Sequence, residues 1–224
     1  MIRYEIIASG SGGNAVVIED EILIDAGVPF KALRPYLKTL RLVLLTHEHS
    51  DHFNQSTLGA LSRERPGLRF ICGHWLSGKL CESGVFQHQI DRMTTLETAT
   101  YTCGISITMI PAVHNVHNCG YKIWLPSEGK QRRKLLYITD TNTLHGIEAK
   151  HFDLYLVEAN HCEFEIRQRI EDKKAADPTG YIYEYEVLKN HLSKQKADDW
   201  LSRNMGPHSQ FVYMHCHEDT SQGT

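Results

Sequence analysis

Short apolar runs alternate with polar, glycine-containing turns along this chain, and most runs are too brief for buried helices. Arg3–Ala8, Ala15–Ile18, Glu21–Gly27, Leu42–Leu45 and Arg69–Cys72 have the length and side-chain types of strands. Between them lie helical stretches, from about Phe30 to Lys38, from Gln55 to Arg65 before the stop at Pro66-Gly67, and from Trp75 to Glu82. The repeated order β, α, β, α predicts an α/β chain built in layers. From about Val85 to Tyr137 the pattern changes to hairpins, with strands at Ile105–Ile110, Tyr121–Leu125 and Leu135–Ile138 and a turn over Pro126 to Lys130. Phe152–Val157 is a further apolar strand, and Cys162–Lys174 a mixed-charge helix. Asn190 to Ser193 opens another helix, capped by Ser193 and running to about Arg203, before a last strand at Gln210–Met214.

Composition narrows the class. A chain of 224 residues that is 41% hydrophobic fits one domain, residues 1–224, with a substantial core. A net charge of −3 excludes a protein-wide basic field, so any contact with nucleic acid must be local. The start Met1-Ile2-Arg3-Tyr4-Glu5 has no apolar leader, and no run reaches the length of a membrane span. Six cysteines without a C-x-x-C pair favour reduced thiols. The expectation is a cytoplasmic protein with no membrane partner; a homodimer is allowed for.

The chemistry is concentrated in Thr46-His47-Glu48-His49-Ser50-Asp51-His52, which follows the strand Leu42–Leu45 directly. Alternate residues of an extended chain point the same way, so His47 and His49 can face one point. Asp51 and His52, from the turn that follows, can face a second. Imidazoles with a carboxylate suit Zn²⁺ best, with Mn²⁺ or Fe²⁺ as alternatives. With 14 histidines in the chain, two neighbours by chance are unremarkable, but the ordered string H-x-H-x-D-H after an apolar strand is specific. The glycine-rich Ser9-Gly10-Ser11-Gly12-Gly13-Asn14 lacks a P-loop lysine and leads into a strand, which excludes P-loop or Rossmann nucleotide binding and leaves a tight loop at the rim of a site. Arg167 and Arg169, on the mixed-charge helix, are candidates for reaching substrate phosphates.

The histidine string resembles the signature of the metallo-β-lactamase fold, a four-layer αβ/βα sandwich with one or two metals at its edge. The resemblance implies Asp25 as the first motif, buttressing the histidine loop as an acceptor that fixes imidazole tautomers. His114 and Asp140, at strand ends, fall at the third and fourth motifs; His117 competes with His114 and is otherwise a substrate-side group. An aspartate at Asp140 differs from the cysteine of the common zinc β-lactamases, and His49 differs from the glutamate of the oxygen-reducing branch. Glu158-Ala159-Asn160-His161 and Asn190-His191-Leu192-Ser193 resemble tRNA 3′-processing nucleases and, more closely, small stand-alone nucleases of the WalJ/YycJ type. That likeness implies two divalent metals: His47, His49 and His114 for one, Asp51, His52 and His215 for the other, and Asp140 as a bridge. His217 is the alternative to His215. It further implies Asp51 as base for the attacking water, and Glu158 with His191 as a pair protonating the leaving group. The function expected is a metal-dependent phosphodiesterase, foremost a DNA nuclease resembling a 5′→3′ exonuclease. The alternatives are a phosphodiesterase of cyclic nucleotides or other small molecules, and a thioesterase or lactonase of the glyoxalase II type.

Overall fold

A computed structural model describes residues 1–127, 129 and 131–216; His217 lies outside the described residues, as do Glu128 and Lys130 of the turn after Leu125. The first half runs β1 (Tyr4–Ala8), β2 (Ala15–Ile18), β3 (Ile22–Ile24), α1 (Phe30–Leu33), β4 (Leu42–Leu45), α2 (Gln55–Glu64), β5 (Arg69–Gly73), α3 (Ser77–Glu82) and β6 (Ile90–Met93). The second runs β7 (Thr98–Thr100), β8 (Ser106–Val113), β9 (His117–Leu125), β10 (Arg133–Ile138), β11 (Leu154–Glu158), α4 (Glu163–Ala176), α5 (Glu184–Asn190), α6 (Lys194–Asn204) and β12 (Gln210–Met214). Among the described residues the strands form two six-stranded sheets, ordered β1-β2-β3-β4-β5-β6 and β12-β11-β10-β9-β8-β7.

The unbroken apolar runs follow from burial on both faces. In β2, Val16 and Ile18 pack between the sheets against Met109, Tyr121 and Leu156. Ala15 and Val17 point the other way, into a cluster with Val43, Leu45 and the helix residues Leu58 and Leu61. On the far sheet, Leu136, Ile138 and Val157 meet Trp200 and Leu201 of α6. Alternating side chains thus glue helix to sheet, sheet to sheet, and sheet to helix, giving the four-layer αβ/βα sandwich. Each fully buried side chain of this kind contributes about 1.5–3 kcal/mol over exposure, enough to hold strands of four residues in place.

Within the first sheet β3, β4, β5 and β6 run parallel. Within the second, β10, β11 and β12 do. Their carboxyl ends meet at one edge, which receives Asp25, the loop 46–52, Asp140, Glu158 and His215. This is the place where sheets of this kind collect ligands.

Several elements differ from the sequence expectation. The helix from Phe30 stops at Leu33 and tightens into a 3₁₀ turn over Arg34–Tyr36, because Pro35 cannot donate an intrahelical bond. β8 and β9 extend further than read, pairing from Ser106↔Trp124 to Val113↔His117. α5 was not anticipated, and it places His191 in a link between two helices. Ser193 does cap the second of these, accepting from the Lys196 amide at 3.2 Å. Among the described residues no helix is long and apolar enough to cross a membrane.

Candidate metal centre

Leaving β4, Thr46 bonds to Asp25 through its amide (2.9 Å) and its hydroxyl (3.0 Å). The other Asp25 oxygen accepts from His52 Nδ1 at 2.7 Å and from the Tyr137 hydroxyl at 3.3 Å. Asp25 is fully buried and, among the described residues, belongs to none of the His and Asp groups that could hold a metal. It fixes the loop and the His52 tautomer instead, so that His52 Nε2 faces the edge.

The same logic orients the first group of nitrogens. The Thr46 hydroxyl proton is committed to Asp25, so His47 Nδ1, 3.0 Å from that oxygen, donates to it. His114 Nδ1 donates to the Asn190 carbonyl at 3.1 Å. Both rings therefore turn an Nε2 lone pair inward, 3.1 Å and 3.4 Å from His49 Nδ1. Lone pairs crowded this way repel unless a cation lies among them. A tetrahedral Zn²⁺ would set nitrogens roughly 3.3 Å apart, so the spacing fits. Burial and the charge of His52 push His47 down to about 2, and burial lowers His114, leaving both in the neutral form that ligates.

The second group has the opposite electrostatics. Asp51 Oδ2 lies 3.5 Å from His52 Nε2 and 3.7 Å from His215 Nε2. Asp140 faces both groups, with Oδ2 3.0 Å from His52 Nε2 and Oδ1 3.9 Å from His114 Nε2. Burial opposes a proton on His215, but bonds to Asp51 and Glu158 and the charge of Asp140 push it up to about 10. Against burial, Asp140 and Asp25 hold His52 well above its ordinary value. Surplus carboxylate charge thus calls for a cation here. Asp140 Oδ2 and His215 Nε2 are buried, and their nearest charged neighbours, His52 Nε2 at 3.0 Å and Asp51 Oδ2 at 3.7 Å, give neither a well-aligned hydrogen bond, as suits ligand atoms. Asp25, Asp140 and His215 share a left-handed backbone, φ 57°, 54° and 51°, at a cost of about 1–3 kcal/mol each. Three strand ends of this one edge thus carry backbone strain.

Beside this centre, Glu158 is fully buried with both oxygens engaged. Oε1 lies 2.6 Å from His191 Nδ1, and Oε2 accepts from the amides of Thr141 (2.7 Å) and Leu192 (3.3 Å). His191 therefore presents Nε2 outward. It lines a cleft of about 570 Å³ between the loop Ser9–Gly13 and Tyr183 with Val187, floored in part by His215.

Other expected residues sit elsewhere. His117 is exposed at the start of β9 and stacks on Trp75 with ring centroids 5.8 Å apart, outside every ligand group. Arg167 projects into solvent from α4, and Arg169 pairs with Glu165 at 3.8 Å; neither lines the cleft. One residue was missed. Asn14 is fully buried, its Nδ2 donating to the Gly10 carbonyl (2.9 Å) and to Asp51 Oδ2 (3.2 Å) and lying 2.8 Å from His52 Nε2. Its signal was an amide closing a glycine-rich loop. Gly27 completes the fit, since a Cβ there would stand 1.7 Å from the Asp51 carbonyl oxygen.

Replacing Asp25 by alanine leaves the Thr46 amide, His52 Nδ1 and the Tyr137 hydroxyl buried without their acceptor. Metal affinity should fall about 10–100-fold, read by competition with a chelator. Unchanged affinity would remove His52 from the ligand set.

The model of the family described as "Beta-lactamase superfamily domain" matches residues 20–178, more than half of the chain. The chain belongs to this superfamily. The metallo-β-lactamase resemblance read from the histidine string therefore stands, as does the expected fold. As a superfamily member the protein is a hydrolase whose fold implies divalent metal, with the His and Asp groups above as candidate ligands. It is similar to the exodeoxyribonuclease WalJ of Streptococcus pneumoniae, 25% identical over 95% of this chain and 80% of that protein. In fold it matches YhfI of Bacillus subtilis, with TM-score 0.68 and 15% identity over 97% of this chain and 87% of that one. It also matches the short form of human tRNase Z, with TM-score 0.66 and 16% identity over 99% and 94%.

Proposed function

We propose that this superfamily member is a dinuclear phosphodiesterase of nucleic acids, foremost a DNA exonuclease working 5′→3′, cytoplasmic and loaded with Zn²⁺, or with Mn²⁺ or Fe²⁺. The Glu158–His191 pair, 2.6 Å apart beside the ligand cluster, carries this reading. Hydrolysis of a thioester or lactone has less need of such a pair, whereas a nucleoside alkoxide is a poor leaving group and needs a proton. The likeness to WalJ supports DNA as substrate.

In this reading His47, His49 and His114 hold one cation, Asp51, His52 and His215 the other, and Asp140 faces both. Cations there would polarise phosphoryl oxygens and lower the pKa of water. Asp51 takes the proton of the attacking water as its oxygen bonds to phosphorus. The ester P–O bond breaks on the opposite side, and the departing oxygen takes a proton from His191 Nε2. Glu158, anchored by two amides, keeps the ring aimed throughout.

Fully loaded protein should carry two metal equivalents per chain and cleave DNA ahead of RNA, cyclic nucleotides and a thioester. Metal content that never exceeds one equivalent would sink the dinuclear reading, and preference for the thioester would move the protein to the glyoxalase II-type alternative. Separate alanine variants of His215 and His217, analysed for metal, decide between those two residues.

A further inference from the structure

Resting on the phosphodiesterase reading, we propose that the cleft between the loop Ser9–Gly13 and Tyr183 is a subsite for one nucleoside, the one that departs with the leaving oxygen. His191 is the residue that donates to that oxygen, and it lines this cleft. Whatever hangs from the leaving oxygen must therefore occupy the space beyond His191 Nε2. A volume of about 570 Å³ accommodates a sugar and a base.

Three features of the walls match a nucleoside. Tyr183, at the cap of α5, lines the cleft and is 53% exposed, so its ring face is available for stacking a base. Asn160 is only 8% exposed; its Nδ2 donates to the His215 carbonyl at 3.0 Å, while its Oδ1 has no hydrogen-bond partner. An unpaired buried acceptor costs free energy, which a small turn of the Asn160 side chain toward a ligand hydroxyl or amine in the cleft would recover. Opposite, the loop is largely free of side chains, with Gly10 and Gly13 in backbone conformations (φ 127° and 149°) that side-chain-bearing residues rarely adopt, so a sugar can approach the backbone. Among the described residues no lysine or arginine lines the cleft.

Binding and cleavage of a thymidine dinucleotide test the subsite, compared with two analogues that carry an abasic sugar at one end or the other. Base stacking is worth about 1–3 kcal/mol, so deleting the base that occupies the cleft should weaken binding roughly 5- to 150-fold, and deleting the other should not. Tyr183→Leu should bind the intact dinucleotide no better than that abasic analogue. Tyr183→Phe, which keeps the ring, should retain the preference. Equal binding of all three ligands by the unaltered protein, or a Tyr183→Leu protein that still prefers the base, overturns the subsite. Tyr183-dependent binding without cleavage would instead leave the nucleoside subsite standing and sink the phosphodiesterase reading.

Discussion

Asp140→Ala should empty both ligand groups at once, and hydrolysis should fall on the order of 10³-fold or more. Among the described residues Asp140 is the one carboxylate that approaches ring nitrogens of both sets, 3.0 Å from His52 and 3.9 Å from His114, and it is almost wholly buried. Burial alone would raise Asp140, but the His52 and His215 rings hold it well below the usual carboxylate range, so it is charged at any working pH. Alanine removes that charge from a pocket whose histidines then face only one another and the remaining carboxylates. Losing metal assistance forfeits several kcal/mol of transition-state stabilisation, which sets the size of the effect. Asp51→Ala makes the contrast, since among the described residues the ring nitrogens Asp51 approaches, those of His52 and His215, belong to the second set. It should shed one equivalent and keep the other. Metal analysis per chain, run beside activity, reads both variants. Two equivalents retained by Asp140→Ala would end the bridging role.

Much of this centre was legible before any coordinates, for a physical reason. Parallel strands buried on both faces must be continuous apolar runs, so Leu42–Leu45 and Leu154–Val157 announce themselves, and a polar residue at the end of such a run can only emerge at the sheet edge. His47, Asp140 and Glu158 sit at such ends, and His215 follows the edge strand β12 beside them. His114 was separable from His117 by its place at the end of a strand, and the geometry brings His114, not His117, to His49. Other features depend on contacts distant in sequence. Asn14 matters because it reaches across 37 positions to Asp51, and no local pattern encodes that. α5 is short and buries only a few side chains, so its period is weak, yet with its cap Tyr183 it carries a wall of the cleft. Arg167 and Arg169 lie away from the cleft for a related reason. Charge on a helix is visible in sequence, but the face it occupies is set by Ile166 and Ile170 turning inward.

His191→Ala should separate proton donation from metal chemistry. General acid catalysis of this kind is worth about 10²–10⁴-fold, and a substrate whose leaving group is a nucleoside hydroxyl should show that full loss. With a p-nitrophenyl ester, whose departure barely needs a proton, the loss should shrink to about tenfold or less. Because Glu158 Oε1 holds His191 Nδ1 at 2.6 Å, the pair acts as a unit, and a Glu158→Gln, His191→Ala double variant should be scarcely worse than His191→Ala alone. Glu158 also comes within 3.5 Å of His215 Nδ1, so the metal control belongs to His191→Ala, which touches neither anchoring amide of Glu158 and should keep its full metal content. Two substrates, two variants and a metal analysis suffice. Equal damage with both leaving groups at unchanged metal content would show that His191 places the substrate or the water, and the strongest support for an alkoxide leaving group would be gone.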